Sequence, residues 1–87
     1  MEEAWFKCKV LKGAFSDERG ILYRSADGAE DGNWVPVDKV RGEIGQMGAV
    51  RVRMYEQNGM IWIILPTDYS DSIVAHPDDV ERDLVEA

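Results

Sequence analysis

The stretch that decides the fold is residues 49–66, AVRVRMYEQNGMIWIILP. At its centre, Asn58 and Gly59 form the favoured pair for a two-residue type I′ turn, because both central residues of that turn need a positive φ. Apolar and polar side chains alternate before the turn, and every position of residues 60–65 is apolar after it. The stretch therefore predicts a β-hairpin closed by a type I′ turn.

The two faces of the predicted hairpin differ in chemistry. A two-residue loop places Tyr55 opposite Trp62 across the ribbon. One face is apolar throughout and is expected to lie in the core, whereas the other is apolar and aromatic with a cation at its edge. That second face is either another buried layer or a contact surface. The core face contains Val52, Met54, Ile61, Ile63 and Leu65, and the second face contains Arg53, Tyr55, Met60, Trp62 and Ile64.

Further short strands are predicted on both sides of the hairpin. Residues 5–11 alternate, so Phe6, Cys8 and Val10 are expected on a buried face. Pro36 cannot donate a backbone hydrogen bond, so it predicts an edge strand or a strand end for its segment. The other predicted strands are residues 21–25, 34–37 and 73–75, separated by an acidic loop at 26–33, one helical turn at 38–40, a glycine-rich connector at 41–48 and a second acidic loop at 66–72.

The segment after His76 is predicted to be a short C-terminal helix. Pro77 suits the first position of a helix, and Asp78 and Asp79 favour the positive end of a helix dipole. An apolar stripe that would dock this helix is expected from Val80, Leu84 and Val85.

Together these elements predict a mainly β fold. The expectation is one domain over residues 1–87, a small antiparallel barrel or roll of SH3-like size with five to six short strands and the C-terminal helix. A faint repeat at an offset of 40 residues aligns Ile21 with Ile61 and Val40 with Val80. A real repeat would make the barrel pseudo-two-fold, although such matches also arise by chance in alternating sequences.

The charge is distributed unevenly along the chain. The net charge is −7, and residues 5–55 contain nine basic residues against seven acidic ones. Residues 56–87 contain eight acidic residues against Arg82 alone. Nucleic acids and anionic membranes would repel this acidic third, which favours a basic protein or peptide as partner. The alternative is a solvated surface that serves only to keep a small domain soluble.

Few residue patterns point to catalysis or to a cofactor. Cys8 is the single cysteine and His76 the single histidine, which excludes an internal disulfide and a metal site with two imidazoles. Ser70 or Ser72 with His76 and Asp68 comes nearest to a catalytic triad, and no surrounding motif supports it. The protein is therefore expected to be non-catalytic, without a metal or other cofactor.

The sequence also predicts a cytoplasmic protein. One cysteine suits a reducing compartment. Residues 1–12 lack the basic start and apolar run of a signal peptide. The longest apolar run, residues 60–65, is far too short to span a bilayer, so no membrane partner is expected.

The leading functional hypothesis is a non-catalytic protein-interaction module. Its acidic loops and the aromatic face of the hairpin would bind a basic protein or peptide through charge and exposed rings. The same aromatic face, if nothing else covers it, would be the interface of a homodimer. The candidate binding residues are Trp34, Arg53, Tyr55, Trp62, Asp68 and Asp71.

Two alternatives belong to other functional classes. The first is a single-stranded nucleic acid, held by strand cations alongside Tyr55 and Trp62, although the net charge of −7 disfavours it. The second is a small enzyme or small-molecule carrier whose acidic loops hold a metal ion or a metabolite. The cations of the first alternative are Lys7, Lys9, Arg51 and Arg53.

Overall fold

The computed structural model describes residues 1–83 of the chain. Over that range it is mainly β, with eight strands and two single turns of 3₁₀ helix. The 3₁₀ turns, Val37–Lys39 and Pro77–Asp79, immediately precede the fourth and the eighth strand. The strands are β1 (Glu2–Lys12), β2 (Glu18–Arg24), β3 (Glu30–Pro36), β4 (Val40–Arg41), β5 (Met47–Gln57), β6 (Met60–Ile64), β7 (Ser72–Ala75) and β8 (Val80–Arg82).

The strands form one antiparallel sheet that curls into a half-barrel. Its order is β3-β2-β1-β5-β6-β7, while β4 adds to β5 and β8 adds to β1. The two long strands, β1 and β5, pair at the centre with Phe6 opposite Val50. The turn between β2 and β3 contacts β7 on the far side of the curled sheet, where the backbone N–H of Ala26 donates to the carbonyl oxygen of Val74 at 2.8 Å. The antiparallel, barrel-like, mainly β fold expected from the sequence is thereby confirmed.

The central hairpin has the predicted turn and register. Tyr55 lies opposite Trp62 in the ladder between β5 and β6. The two turn residues both have positive φ angles, 55° at Asn58 and 75° at Gly59. These are the backbone conformations that a type I′ turn requires and that most side chains resist. The prediction made from the Asn-Gly pair is therefore confirmed.

The core lies on the inner face of the curled sheet. Seven of the side chains that alternation placed there are buried, and Ile61 is partly buried against them. Strands β2 and β3 add Ile21, Tyr23 and Val35 to the cluster, and the ring of Tyr23 packs against that of Phe6 with centroids 5.7 Å apart. The seven predicted core residues are Phe6, Cys8, Val10, Val52, Met54, Ile63 and Leu65.

The predicted C-terminal helix is not confirmed. Pro77 and the two aspartates begin a helical turn as expected, but the turn ends after Asp79 and β8 follows it. The physical reason is the length of β1, because β2 pairs only with its residues 9–12. The edge beside the first half of β1 is open, and β8 fills it with Val80 opposite Phe6. The part of the prediction that concerned Leu84 and Val85 lies outside the described residues.

Other strand boundaries also differ from those predicted. Strand β3 begins at Glu30, inside the segment predicted as an acidic loop, because the loop needs only residues 25–29 to reverse the chain. Part of the predicted glycine-rich connector also belongs to strands, namely Arg41 in β4 and Met47 and Gly48 in β5. With β4 and β8 included, the described residues contain eight strands rather than five to six.

The two halves of the described chain repeat the same order of elements. Each half has three strands, a 3₁₀ turn and a short strand, and the two 3₁₀ turns are offset by the predicted 40 residues. Each short strand pairs with the first strand of the other half, Val40 opposite Val50 and Val80 opposite Phe6. When these two pairs are matched, Phe6 corresponds to Val50, so the first strands of the two halves are offset by 44 residues. The longer offset arises because the hairpins of the second half are shorter.

Candidate functional site

The candidate site lies on the outer face of the sheet, the face turned away from the core. Strand alternation brings the predicted cations of β1 and β5 to this one face, because Phe6, Cys8, Val10, Val52 and Met54 point the other way. The side chains of Trp5, Lys7 and Lys9 on β1 thus share the outer face with those of Arg51, Arg53 and Tyr55 on β5.

The centre of the outer face is already occupied by contacts within the chain. The guanidinium carbons of Arg41 and Arg51 lie 4.6 Å and 5.1 Å from the centre of the Trp5 ring. Arg51 is only 20% exposed and forms ion pairs with Glu3 and Asp83, which raise the pKa of its guanidinium. This cluster therefore offers little free charge. Nothing local in the sequence indicates this cluster, because its members come from β1, β4, β5 and the residue after β8.

Tyr55 and Trp62 form the predicted cross-strand pair. Their rings are stacked, with centroids 6.2 Å apart and planes within 6° of each other. Both side chains are half-buried, and the indole N–H of Trp62 is buried with no acceptor among the described residues. Because each ring covers one face of the other, the pair is a poorer platform for a ligand than two free rings would be.

The predicted contact patch around this pair is partly covered. Met60 is 42% exposed, while Ile64 beside it is half-buried. The exposed part of this patch lies mainly at the turn end of the hairpin. The homodimer interface expected there stays a prediction.

Trp34 is an exposed aromatic residue that lies away from this hairpin. It is 58% exposed on β3, which is the edge strand of the sheet and ends at Pro36 as predicted. Its ring lies over Gly20 on the neighbouring strand, where an added Cβ would meet the ring at 3.0 Å. Strands β2, β1 and β5 lie between Trp34 and Trp62, so the structure does not bring these two residues together.

The remaining predicted site residues are scattered. Arg53 is exposed on the outer face of β5, two residues before Tyr55. Asp71 accepts a hydrogen bond from the Thr67 hydroxyl at 2.7 Å and therefore shapes its own loop. Asp68 is exposed in that loop. Of the six predicted residues, the structure joins Tyr55 and Trp62 in direct contact and distributes the others.

Sequence reasoning missed three grooves on the outer face; one of about 280 Å³ lies beside Trp5 and Arg41, and the other two form a related pair. The first groove has a volume of about 490 Å³ and the second about 150 Å³. The first and second grooves occupy equivalent places in the two halves. Strand β1 runs through the middle of the first groove and β5 through the middle of the second, and each of these strands contributes two outward cations. The first groove is lined by Lys7, Lys9, Leu22, Tyr23, Arg24, Glu30, Met47 and Asp79, and the second by Glu3, Lys39, Arg51, Val52, Arg53, Ile64, Leu65, Pro66, Thr67 and Ser70.

The ladder registers make the equivalence of the two grooves specific. Lys9 lies opposite Leu22 on one side and opposite Met47 on the other. In the second groove the same arrangement has Arg53 between Ile64 and Glu3. The offset of 40 residues in the sequence could not have found this correspondence, because it aligns Lys9 with Ala49, whereas Lys9 and Arg53 are 44 residues apart.

An ion pair between a buried carboxylate and an exposed guanidinium closes one end of the first groove. Asp79 is 4% exposed, and its two carboxylate oxygens accept hydrogen bonds from Arg24, from Nε at 2.9 Å and from a terminal nitrogen at 3.2 Å. This bidentate contact raises the pKa of Arg24 and fastens the second 3₁₀ turn to the end of β2. The pair compensates the charge of a carboxylate that would otherwise be buried alone.

Groups that could support catalysis or metal binding are sparse in residues 1–83. Burial raises the pKa of the Cys8 thiol to about 11, so the reactive thiolate is disfavoured. Within the described range, no cluster of three or more His, Cys, Asp or Glu side chains could hold a metal ion. No helix in that range is long and apolar enough to cross a membrane.

Comparison with known proteins gives no relative: no family model, no curated protein and no solved structure matches the chain.

Proposed function

We propose that the protein is a non-catalytic interaction module that binds an extended basic segment of a partner protein by adding it to the free edge of β3. The observation that carries this proposal is the combination, on one edge strand, of an exposed tryptophan and two carboxylates. Within residues 1–83, β3 pairs with β2 alone, and its other edge has no strand beside it.

The backbone of β3 supplies the affinity in this mode of binding. The unpaired N–H and C=O groups of an edge strand can form a new antiparallel or parallel ladder with an extended peptide. Strand β3 runs over seven residues, Glu30–Pro36, which is long enough for several ladder hydrogen bonds. Pro36 lacks an N–H and marks where such a ladder would end.

The charges on β3 select a basic partner. Glu30 and Asp31 are both exposed at the first residues of the strand, and neither forms an ion pair with a cation in the described range. Asp27, in the turn just before them, accepts hydrogen bonds from Ser25 and from the Ala29 backbone, which lower its pKa and keep it ionised. Lysine or arginine side chains of an added strand would meet these three carboxylates.

Trp34 gives the other end of the strand an apolar and aromatic anchor. Its ring rests on Gly20 and leaves more than half of its surface free, 58%. Gly20 matters here because a side chain at that position would push the ring off the sheet. A ring held flat in this way can pack against an apolar residue or receive a cation of the partner.

A binding titration tests the proposal with a defined probe. We expect a fluorescein-labelled peptide of alternating lysine and valine to bind with an affinity that falls as salt is added. Trp34→Ala should weaken binding by about 1 kcal/mol or more. Tyr69→Ala is the matched control, because Tyr69 is 91% exposed but lies in the loop between β6 and β7.

One peptide variant and one protein variant separate strand addition from simple charge attraction. A peptide N-methylated at every residue keeps its charge but has no backbone N–H to donate to the ladder, so it should bind much more weakly. Glu30→Gln should weaken binding of the unmodified peptide. Equal binding of the methylated and unmodified peptides, or an unchanged affinity in Trp34→Ala, would refute strand addition at β3.

Single-stranded nucleic acid is the alternative proposal. Its support is that Lys7, Lys9, Arg51 and Arg53 lie on one face with Tyr55. Against it, Arg51 is held by two carboxylates, and the net charge of the chain is −7. A gel shift with a labelled single strand at low salt distinguishes this alternative from peptide binding.

We also propose a cytoplasmic location for the protein, which its single cysteine supports.

A further inference from the structure

We propose that the first groove binds a small amphipathic anion, with a carboxylate or phosphate head and a short apolar body. The groove lies on the outer face of β1 and β2 and holds about 490 Å³. The groove shares Glu30 with the start of β3, but its lysines and apolar side chains lie on β1, β2 and β5, so this inference goes beyond the peptide binding proposed above.

The anionic head is recognised by Lys7 and Lys9. Both are exposed, and neither has a carboxylate within ion-pair distance among residues 1–83. The other charges of the groove largely cancel, because Arg24 is bound to Asp79. Glu30 remains as the one further carboxylate of the lining, so the two lysines leave the groove with a net positive charge.

The apolar body is recognised by the residues on either side of Lys9. Leu22 and Met47 lie opposite Lys9 in the two neighbouring strands, and they are 46% and 57% exposed. Exposed apolar side chains gain free energy when a ligand covers them. A cation between two such side chains suits a ligand that is charged at one end and apolar along its length.

The second groove has the same geometry but leaves no space for an external anion. There Glu3 occupies the position equivalent to Met47, opposite Arg53. The carboxylate of Glu3 forms an ion pair with Arg51 at 3.2 Å, and the volume falls to about 150 Å³. The chain thus supplies its own anion in one half, whereas the other half leaves its two cations open to a ligand.

Titration with decanoate, kept below its micelle-forming concentration, tests this proposal by amide chemical-shift changes. We expect shifts centred on Lys9, Leu22 and Met47, and none of similar size with acetate. Lys9→Gln should weaken decanoate binding roughly threefold to fivefold, as expected for an exposed ion pair. Octyl phosphate distinguishes the two possible heads by its affinity relative to decanoate.

Arg53→Gln is the matched control, because Arg53 holds the position of Lys9 in the second groove and the substitution removes the same charge. Its decanoate affinity should equal that of the wild type. Equal weakening in the two variants would mean general charge attraction and would overturn the proposal, as would shifts centred on the second groove. Binding of the lysine–valine peptide should persist in Lys9→Gln, which separates this test from that of the β3 edge.

Discussion

Arg41 and Glu81 occupy equivalent positions in the two halves of the fold, 40 residues apart, and they form an ion pair with each other at 2.6 Å. Arg41 lies in β4 and Glu81 in β8, on strands that have crossed to the opposite halves. The pair therefore joins the two halves beside Trp5, over which Arg41 also lies. At these equivalent backbone positions the two halves carry opposite charges that attract each other.

A charge exchange tests this contact. Both side chains are exposed, at 49% and 69%, so Arg41→Glu alone should cost only about 0.2–1 kcal/mol of unfolding free energy from the lost pair. The exchanged double variant, Arg41→Glu with Glu81→Arg, should recover part of that loss in a urea denaturation series. Strictly additive effects of the two single changes would mean that the pair contributes nothing.

The type I′ turn predicts an asymmetric response to substitution at Gly59, whose φ is 75°. Valine there should cost about 1 kcal/mol or more, because a β-branched residue resists a positive φ. Gly59→Asn is the matched control and should cost less, since asparagine tolerates this conformation. Thermal unfolding measures both, and an unchanged melting temperature in Gly59→Val would contradict the turn geometry.

The inner face of the hairpin carries much of the stability. Ile63 is fully buried at 0% exposure, so Ile63→Ala should cost roughly 2–5 kcal/mol. Ile44→Ala removes the same atoms from a side chain that is 50% exposed in a loop and should cost far less. Chemical denaturation of the two variants compares them directly. Similar losses would place Ile63 outside the core.

The hairpin could be predicted from the sequence because its determinants are local. Asn58 and Gly59 define the turn, and the turn determines which residues of β5 and β6 face each other. Strand β8 could not be predicted in the same way, since it forms because the edge of β1 near Phe6 is open, and nothing near Val80 indicates that edge. The repeat could not supply that signal either, because the sequence predicts a helical turn over residues 38–40, whereas Val40 belongs to β4.

The candidate site was harder to predict than the fold. Exposure decides whether an aromatic residue is a platform, and sequence alternation does not distinguish the stacked, half-buried Trp62 from the exposed Trp34. The grooves depend on which strands become neighbours. Lys9 meets Leu22 and Met47 only because β1 lies between β2 and β5.

The buried thiol of Cys8 predicts a pH dependence. Burial raises its pKa to about 11, whereas the thiol of an unfolded chain titrates near about 8.5. The unfolded state therefore loses its proton first as the pH rises, so the stability contributed by Cys8 is full below about pH 8.5 and is lost toward pH 11.

A comparison with Cys8→Ala isolates this effect from the other groups that titrate at high pH. We expect the difference in unfolding free energy between the wild type and Cys8→Ala to shrink by roughly 2–3 kcal/mol between about pH 8.5 and 11. Denaturant titrations at several pH values measure it. A difference that stays constant with pH would show that the thiol is not protected by burial.

The outer end of the hairpin predicts self-association of modest strength. Met60 is 42% exposed beside the half-buried pair of Tyr55 and Trp62, and two copies could cover these apolar surfaces together. We expect the molar mass from light scattering to rise above that of the monomer with concentration, and Met60→Glu to remain monomeric with an unchanged melting temperature. Met60 serves better than Trp62 for this test, because the ring of Trp62 is half-buried and stacks on Tyr55, so its replacement would also disturb the fold. Met60→Leu is the matched control, because it keeps an apolar side chain at this position and should still associate. A wild type that stays monomeric at high concentration would exclude this interface.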